Sequence, residues 1–174
     1  MILIHPSFPL AFTEWIMCCI NSASFSVLIN GSSSQFFHVE RGLQQGCPLS
    51  PLLFLIVMEG LSRPIESAKM EGRLKGLKMS DLCHLTHLLF VDDVLIFLDG
   101  NIQDSTTFHD ILTLFAKATG MVANQSKSTI SLTHTSPQED RVALLFFHYQ
   151  MHNLENGLKY LGFWIKPHSY RIAD

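Results

Sequence analysis

The chain has 174 residues, 47% hydrophobic and 16% charged, with 12 Lys and Arg against 15 Asp and Glu. That length and balance build one ordinary core and exclude a disordered chain. The formal charge of −3 argues against a free-standing nucleic-acid binder, which usually carries a basic excess for phosphate contact.

Four cysteines, Cys18, Cys19, Cys47 and Cys83, form no C-x-x-C pair. No disulfide framework is expected, and a reducing, intracellular location (nuclear or cytoplasmic) follows. The apolar N-terminus has no basic region and is broken by Pro6 and Pro9, so it makes a poor signal peptide. The apolar run from Leu52 to Met58 is far too short to span a bilayer, and no membrane association is expected.

In chain order, Phe12, Trp15, Ile16, Cys19 and Ile20 recur at helical spacing and predict an amphipathic helix over 10–22. The β-rich runs Phe25–Asn30 and Phe36–Val39 flank Gly31-Ser-Ser-Ser34, which reads as a hairpin with a Gly/Ser turn. Arg41 to Gly46 is a glycine-punctuated loop. Ser50-Pro51 resembles a helix N-cap followed by proline at the first helical position. The helix it opens is expected to end somewhere after Arg63. Residues 84–98 read as two strands joined at Val91-Asp92-Asp93. Phe108, Ile111, Leu112 and Phe115 predict a further helix closed by Gly120. Loop then strand follow over 124–132, a short helix over 137–148, and a final strand over 159–165. Paired hairpins between helices predict an α+β fold, with helices packed on one face of an antiparallel sheet.

Asp92 and Asp93 stand inside an otherwise apolar stretch, Leu88 to Phe97. Two carboxylates at a hairpin tip repel each other, and a divalent cation relieves that repulsion. Oxygen-only ligands suit Mg²⁺ or Mn²⁺. The alternative is that aspartate simply makes the turn.

Phe90-Val-Asp-Asp93 resembles the catalytic aspartate box of reverse transcriptases. Gly42-Leu-Gln-Gln-Gly-Cys-Pro-Leu-Ser-Pro-Leu-Leu-Phe54 resembles that family's G-x-x-Q-G-x-x-x-S-P-x-x-F segment. Phe25–Asn30, Glu59–Arg63, His87–Phe90, Gly120–Ser128 and Lys159–Gly162 resemble, in the same order, stretches of the LINE-type, non-LTR retrotransposon enzymes of plants. The resemblance covers nearly the whole chain.

It implies a polymerase palm-like fold, incomplete at its N-terminal side. Residues 1–24 would be a fingers/palm connecting helix. Residues 25–133 would be the palm core with motif loop and Asp-Asp hairpin. Residues 134–174 would end the palm and start the thumb with a primer-grip-like strand. The implied activity is RNA-directed DNA polymerisation by two-metal nucleotidyl transfer. RNA template, DNA primer and deoxynucleotide triphosphates would be its partners, and Mg²⁺ or Mn²⁺ its weakly bound cofactor.

The resemblance assigns Asp92 and Asp93 to the metals. Gln45, Gly46, Pro48, Phe90 and Val91 would lie beside nucleotide and template. Gly46 could equally be a plain turn glycine. Lys127, in a stretch resembling G-x-x-x-N-x-x-K, would neutralise or protonate pyrophosphate, or be a solvated loop lysine. Tyr160, Leu161 and Gly162 would form a primer-gripping hairpin, or a core strand with a bulge glycine.

The family carries an earlier aspartate before the first helix, yet no Asp precedes Asp81 here. A truncated frame that does not polymerise alone is therefore expected. Two other readings compete. One is a non-catalytic nucleic-acid-binding remnant or a decayed element. The other is a zinc protein using Cys83, His84 and His87 or His148 and His152, against which stands the lack of a second ligand pair.

Overall fold

The computed structural model describes residues 8–38, 46–81, 83–132 and 146–166. The chain divides into two units, Met1–Gly60 and Leu61–Asp174.

In the first unit, helix α1 (Leu10–Asn21) starts after extended Pro9. The Pro9 carbonyl accepts from Thr13 N–H at 3.1 Å. The expected apolar stripe is only partly covered: Ile16 is buried, whereas Trp15, Cys19 and Ile20 are exposed.

Four short strands follow: β1 (Ser24–Phe25), β2 (Leu28–Ile29), β3 (Ser32–Ser33) and β4 (Phe37–His38). β2 pairs with β3, and β1 with β4, both antiparallel. The turn is Asn30-Gly31, with φ of 52° and 82°, the signs of a type I′ hairpin turn. The turn is therefore one residue earlier than the Gly31–Ser34 expected from composition, because Asn-Gly supplies both positive φ angles and frees Ser32 and Ser33 for the ladder. Between the two ladders Ser34 patches the gap. Its N–H donates to Val27 O at 2.8 Å, and its Oγ accepts from Val27 N–H at 3.0 Å.

Helix α2 (Ser50–Met70) includes Ser50 as its first residue, so Pro51 stands one position further in than expected. Pro64 lies inside it and leaves no amide at i+4 for the Gly60 carbonyl. The helix persists for another turn and a half because Leu61, Ile65 and Ala68 face inward and are buried. Each fully buried aliphatic side chain contributes about 1.5–3 kcal/mol, comparable to the proline penalty of about 3 kcal/mol. Gly72, at φ 71°, ends the run. Arg73 and Leu74 amides then both donate to the Ala68 carbonyl, at 2.8 and 3.1 Å.

The second unit then forms β5 (Leu77–Ser80) and β6 (Cys83–Leu85), antiparallel with a bulge between Lys78 and Ser80. β7 (His87–Phe90) and β8 (Asp93–Ile96) form the next hairpin. Residues 84–98 thus hold three strands rather than two. The break falls at Thr86, which is buried and whose backbone carbonyl accepts from the Phe97 amide at 2.9 Å. β5 escaped the sequence reading, although Leu77-Lys-Met-Ser80 alternates apolar and polar as a strand does.

Helix α3 (Ile102–Thr119) ends at Gly120 as expected, and a side-chain cap that was not foreseen starts it. The Asn101 side chain accepts from Asp104 N–H at 2.8 Å, and Gly120 closes it at φ 73°. Phe108 and Ile111 are buried, and Phe108 packs against Phe147 with ring centroids 5.8 Å apart.

β9 (Thr129–Leu132) pairs in parallel with β10 (Gln150–Asn153), a strand with no clear sequence signal. Most of the helix expected over 137–148 lies outside the described residues. A single 3-10 turn (Leu154–Asn156) precedes β11 (Leu158–Tyr160) and β12 (Phe163–Ile165). The expected final strand is therefore a hairpin, turned by Leu161 and Gly162 at φ 51° and 87°.

The α+β class holds. Among the described residues, however, the strands pair two by two, and one of the six pairs is parallel, where one antiparallel sheet was expected. Strands of two to four residues give each ladder few backbone pairs.

Candidate active site: the Asp-Asp hairpin

The β7–β8 hairpin places the two aspartates. Its register pairs His87 with Ile96, Leu88 with Leu95, Leu89 with Val94 and Phe90 with Asp93. Val91 and Asp92 form the two-residue turn. Val91 has φ 51°, whereas Asp92 is not among the positive-φ residues, which are the signs of a type II′ turn. A β-branched residue is disfavoured at positive φ, so the tip stores strain at the residue beside the carboxylates.

Asp92 lies in the turn and Asp93 begins β8. Both are exposed, and neither has a hydrogen-bond or ion-pair partner among the described residues. Turn formation alone explains one aspartate. It leaves Asp93, opposite Phe90 in the ladder, without a structural task.

Side chains alternate along β7: His87 and Leu89 turn inward, Leu88 and Phe90 outward. His87 Nε2 lies 2.7 Å from Ser62 Oγ on α2, and its Nδ1 lies 3.0 Å from Thr86 Oγ1. Both ring nitrogens are thereby engaged, which removes His87 from the zinc reading. Among the described residues no three His, Cys, Asp or Glu side chains converge to hold a metal.

The donor set at the tip nevertheless fits a hard divalent cation. Mg²⁺ is commonly held by one or two carboxylates, with water and substrate phosphates completing its octahedron. Asp92 and Asp93 would be the holding residues.

The other expected site residues lie on separate elements. Gln45 lies outside the described residues. Gly46 belongs to the first unit. It has φ 82° with nothing within 4 Å of where a Cβ would stand, so its backbone angle, not crowding, requires glycine. Pro48 is exposed in the turn before α2. Beside it the Cys47 thiol accepts from the Leu49 and Ser50 amides, and these hold its pKa below the ordinary thiol value.

Lys127 is exposed on a turn organised by Asn124, whose side-chain Oδ1 accepts from Ser126 N–H at 3.0 Å and whose carbonyl accepts from Lys127 N–H at 3.1 Å. Tyr160 ends β11, and Leu161-Gly162 turn the hairpin. No hydrogen bond or ion pair links Lys127 or Tyr160 to either aspartate.

Two polar groups were missed. His87 was read only as a possible zinc ligand. Asp104, 1% exposed, accepts at Oδ2 from the amides of Lys75, Asp99 and Gly76 at 3.1, 3.3 and 3.5 Å. It thereby joins the entry to β5, the segment after β8 and the start of α3. The spacing Asn101-x-x-Asp104 is a capping-box pattern and could have signalled it.

These features define an α+β domain with an exposed carboxylate pair at a β-hairpin tip. The family model described as reverse transcriptase (RNA-dependent DNA polymerase) matches residues 4–165, and the chain belongs to that family. It is similar to a "Retrovirus-related Pol polyprotein from type-1 retrotransposable element R2" of Popillia japonica, 28% identical over 114 residues, covering 66% of this chain and 18% of the relative. A second match to a polyprotein of that description and organism is 32% identical over 98 residues, covering 56% of this chain and 13% of the relative. An uncharacterized mitochondrial protein of Arabidopsis thaliana is 43% identical over 67 residues, covering 38% of this chain and 55% of the relative. The chain thus spans less than a fifth of the polyproteins and about half of the mitochondrial protein.

No helix among the described residues is long and apolar enough to cross a membrane.

Proposed function

We propose that this chain is palm-domain sequence of a retrotransposon reverse transcriptase of the plant LINE type, and that Asp92 and Asp93 are two of its metal-binding carboxylates. The observation that carries the reading is the Asp92-Asp93 pair at a hairpin tip, unpartnered among the described residues, inside a family match running from residue 4 to 165. In this reading the partners are an RNA template, a DNA primer and deoxynucleotide triphosphates. A bound pair of Mg²⁺ or Mn²⁺ ions supplies activation of the primer hydroxyl and neutralisation of the triphosphate.

The chain's own residues supply position and charge. Asp92 and Asp93 concentrate negative charge where the cations dock. Phe90 and Val91 shape the approach to them, and by family resemblance Gln45, Gly46 and Pro48 would be contacts for nucleotide and template. Lys127, with no ion-pair partner among the described residues, meets pyrophosphate charge. The turn Tyr160-Leu161-Gly162 grips the primer end.

No aspartate upstream of Asp81 can provide a third carboxylate within these 174 residues. Two carboxylates do not reproduce the charge stabilisation on which the rate depends, so the chain by itself does not extend primers.

Filter retention of an RNA–DNA template–primer over a salt series tests the binding part. A negative slope of log affinity against log salt is expected, and a flat response rejects it. Primer extension by the purified chain with Mg²⁺ tests the carboxylate count: background incorporation is expected, and robust templated synthesis overturns it.

A further inference from the structure

The aspartate hairpin has little support of its own. β7 and β8 pair only with each other among the described residues, and an isolated two-stranded ladder is marginal in water. Leu88 and Phe90 on its outer side are exposed, and so is Val94, which stands opposite Leu89 next to the tip. Its hold on the domain must therefore come from the inward side, near the end away from the tip.

There the observations converge on His87. It is the polar member of the inward-facing pair on β7, and each ring nitrogen meets a hydroxyl: Ser62 of α2 at 2.7 Å and Thr86 at 3.0 Å. Thr86 is only 2% exposed, and its carbonyl accepts the Phe97 amide at 2.9 Å, extending the ladder past Ile96. The helical stretch below Ser62 is equally fixed, since Leu61 and Ile65 on either side of it are buried.

From this geometry we infer that His87 is a positioning residue for the aspartate pair: the chain Ser62–His87–Thr86 clamps β7 to α2 and fixes where the tip carrying Asp92 and Asp93 stands. The inference rests on the proposed role of those aspartates for its purpose, but not for its test.

Hydroxyl groups donate or accept as needed, so the clamp accommodates either neutral tautomer of the imidazole. An apolar residue of similar size fills the space without joining the two partners. It would leave the buried Thr86 hydroxyl and the Ser62 hydroxyl to find others. Glutamine keeps a polar end that can reach Ser62.

The test is native-state hydrogen exchange by NMR on the full chain and its variants. The amides of Phe90, Asp93 and Phe97 report on the clamped hairpin, and those of Tyr160 and Phe163 report on a remote one. His87→Phe should accelerate exchange at the first set by about tenfold, a local opening on the scale of one lost hydrogen bond, while the second set changes less than about twofold. Ser62→Ala, which keeps the helix and removes one partner, should give the same pattern at smaller amplitude. His87→Gln should recover most of the protection.

Uniform acceleration across both sets, or no acceleration in Ser62→Ala, or no recovery in His87→Gln would overturn the clamp. Absence of Mn²⁺ binding by the wild-type chain would instead overturn the role proposed for the aspartates, leaving the exchange result to decide the clamp alone.

Discussion

Replacing Val91 by glycine should make the protein more stable, against the usual sign for a glycine substitution. Val91 occupies the first turn position of the Asp-Asp hairpin at φ 51°. A left-handed conformation costs an L-residue about 1–2 kcal/mol, and β-branching does not lessen it. Glycine adopts that angle freely but costs about 0.5–1 kcal/mol in unfolded-chain entropy. Val91 is 51% exposed, so little packing is lost. The net gain is about 0.5–1 kcal/mol, or a Tm rise of about 1–4 °C for a chain of this size.

The control is Val94→Gly, three residues on in regular β8. It relieves no strain and should destabilise by about 1 kcal/mol. Thermal denaturation followed by circular dichroism measures both. A Val91→Gly protein that melts at or below wild type would refute the strain argument.

Three further outcomes are expected. Gly76→Ala should destabilise by about 2–4 kcal/mol in chemical denaturation, because its Cβ would stand 2.5 Å from the Leu85 carbonyl oxygen at a φ of 70°. Asp104→Ala should cost about 3 kcal/mol or more, since three amides lose their acceptor. Asp104→Asn, which keeps one acceptor oxygen, should cost clearly less. The Cys47 thiol, held below its ordinary pKa by the Leu49 and Ser50 amides, is more fully thiolate at a given pH. Its alkylation by iodoacetamide, read by mass spectrometry, should reach half its maximal rate at a lower pH than an unperturbed thiol, and the difference should disappear in denaturant.

How much of this was legible in the sequence varied with the kind of signal. Helix α3 was readable in its apolar stripe and at its C-terminal end, where Gly120 closes it; the Asn101 cap at its start was there to be read and was passed over. The Asp-Asp hairpin was readable because apolar runs flank an acidic pair. Periodicity did not separate β6 from β7, since the break at Thr86 is made by burial and a long-range backbone bond, neither of which leaves a pattern. β10 escaped for a related reason: its partner β9 lies far off in sequence and the pairing is parallel. The turn at Leu161-Gly162 was suggested by the family resemblance alone, because leucine at positive φ is not a turn signal and the glycine beside it read equally as a bulge.

The site followed the same division. Asp92 and Asp93 were found through composition and motif. Their support through Ser62, His87 and Thr86 was not, because hydroxyl–imidazole contacts between a helix and a strand have no fixed spacing in sequence. His87 was instead weighed as a zinc ligand beside His84, and the structure gives both its nitrogens to hydroxyl partners.

The measurement that bears most directly on the central claim is Mn²⁺ binding by electron paramagnetic resonance, with the wild-type chain compared against the Asp92→Asn/Asp93→Asn double variant. Two carboxylates completed by water should bind weakly, with a Kd on the order of a millimolar. The account predicts that the double substitution abolishes this binding while leaving the fold intact by circular dichroism. Equal Mn²⁺ binding by the two proteins, or none by the wild type, would contradict it.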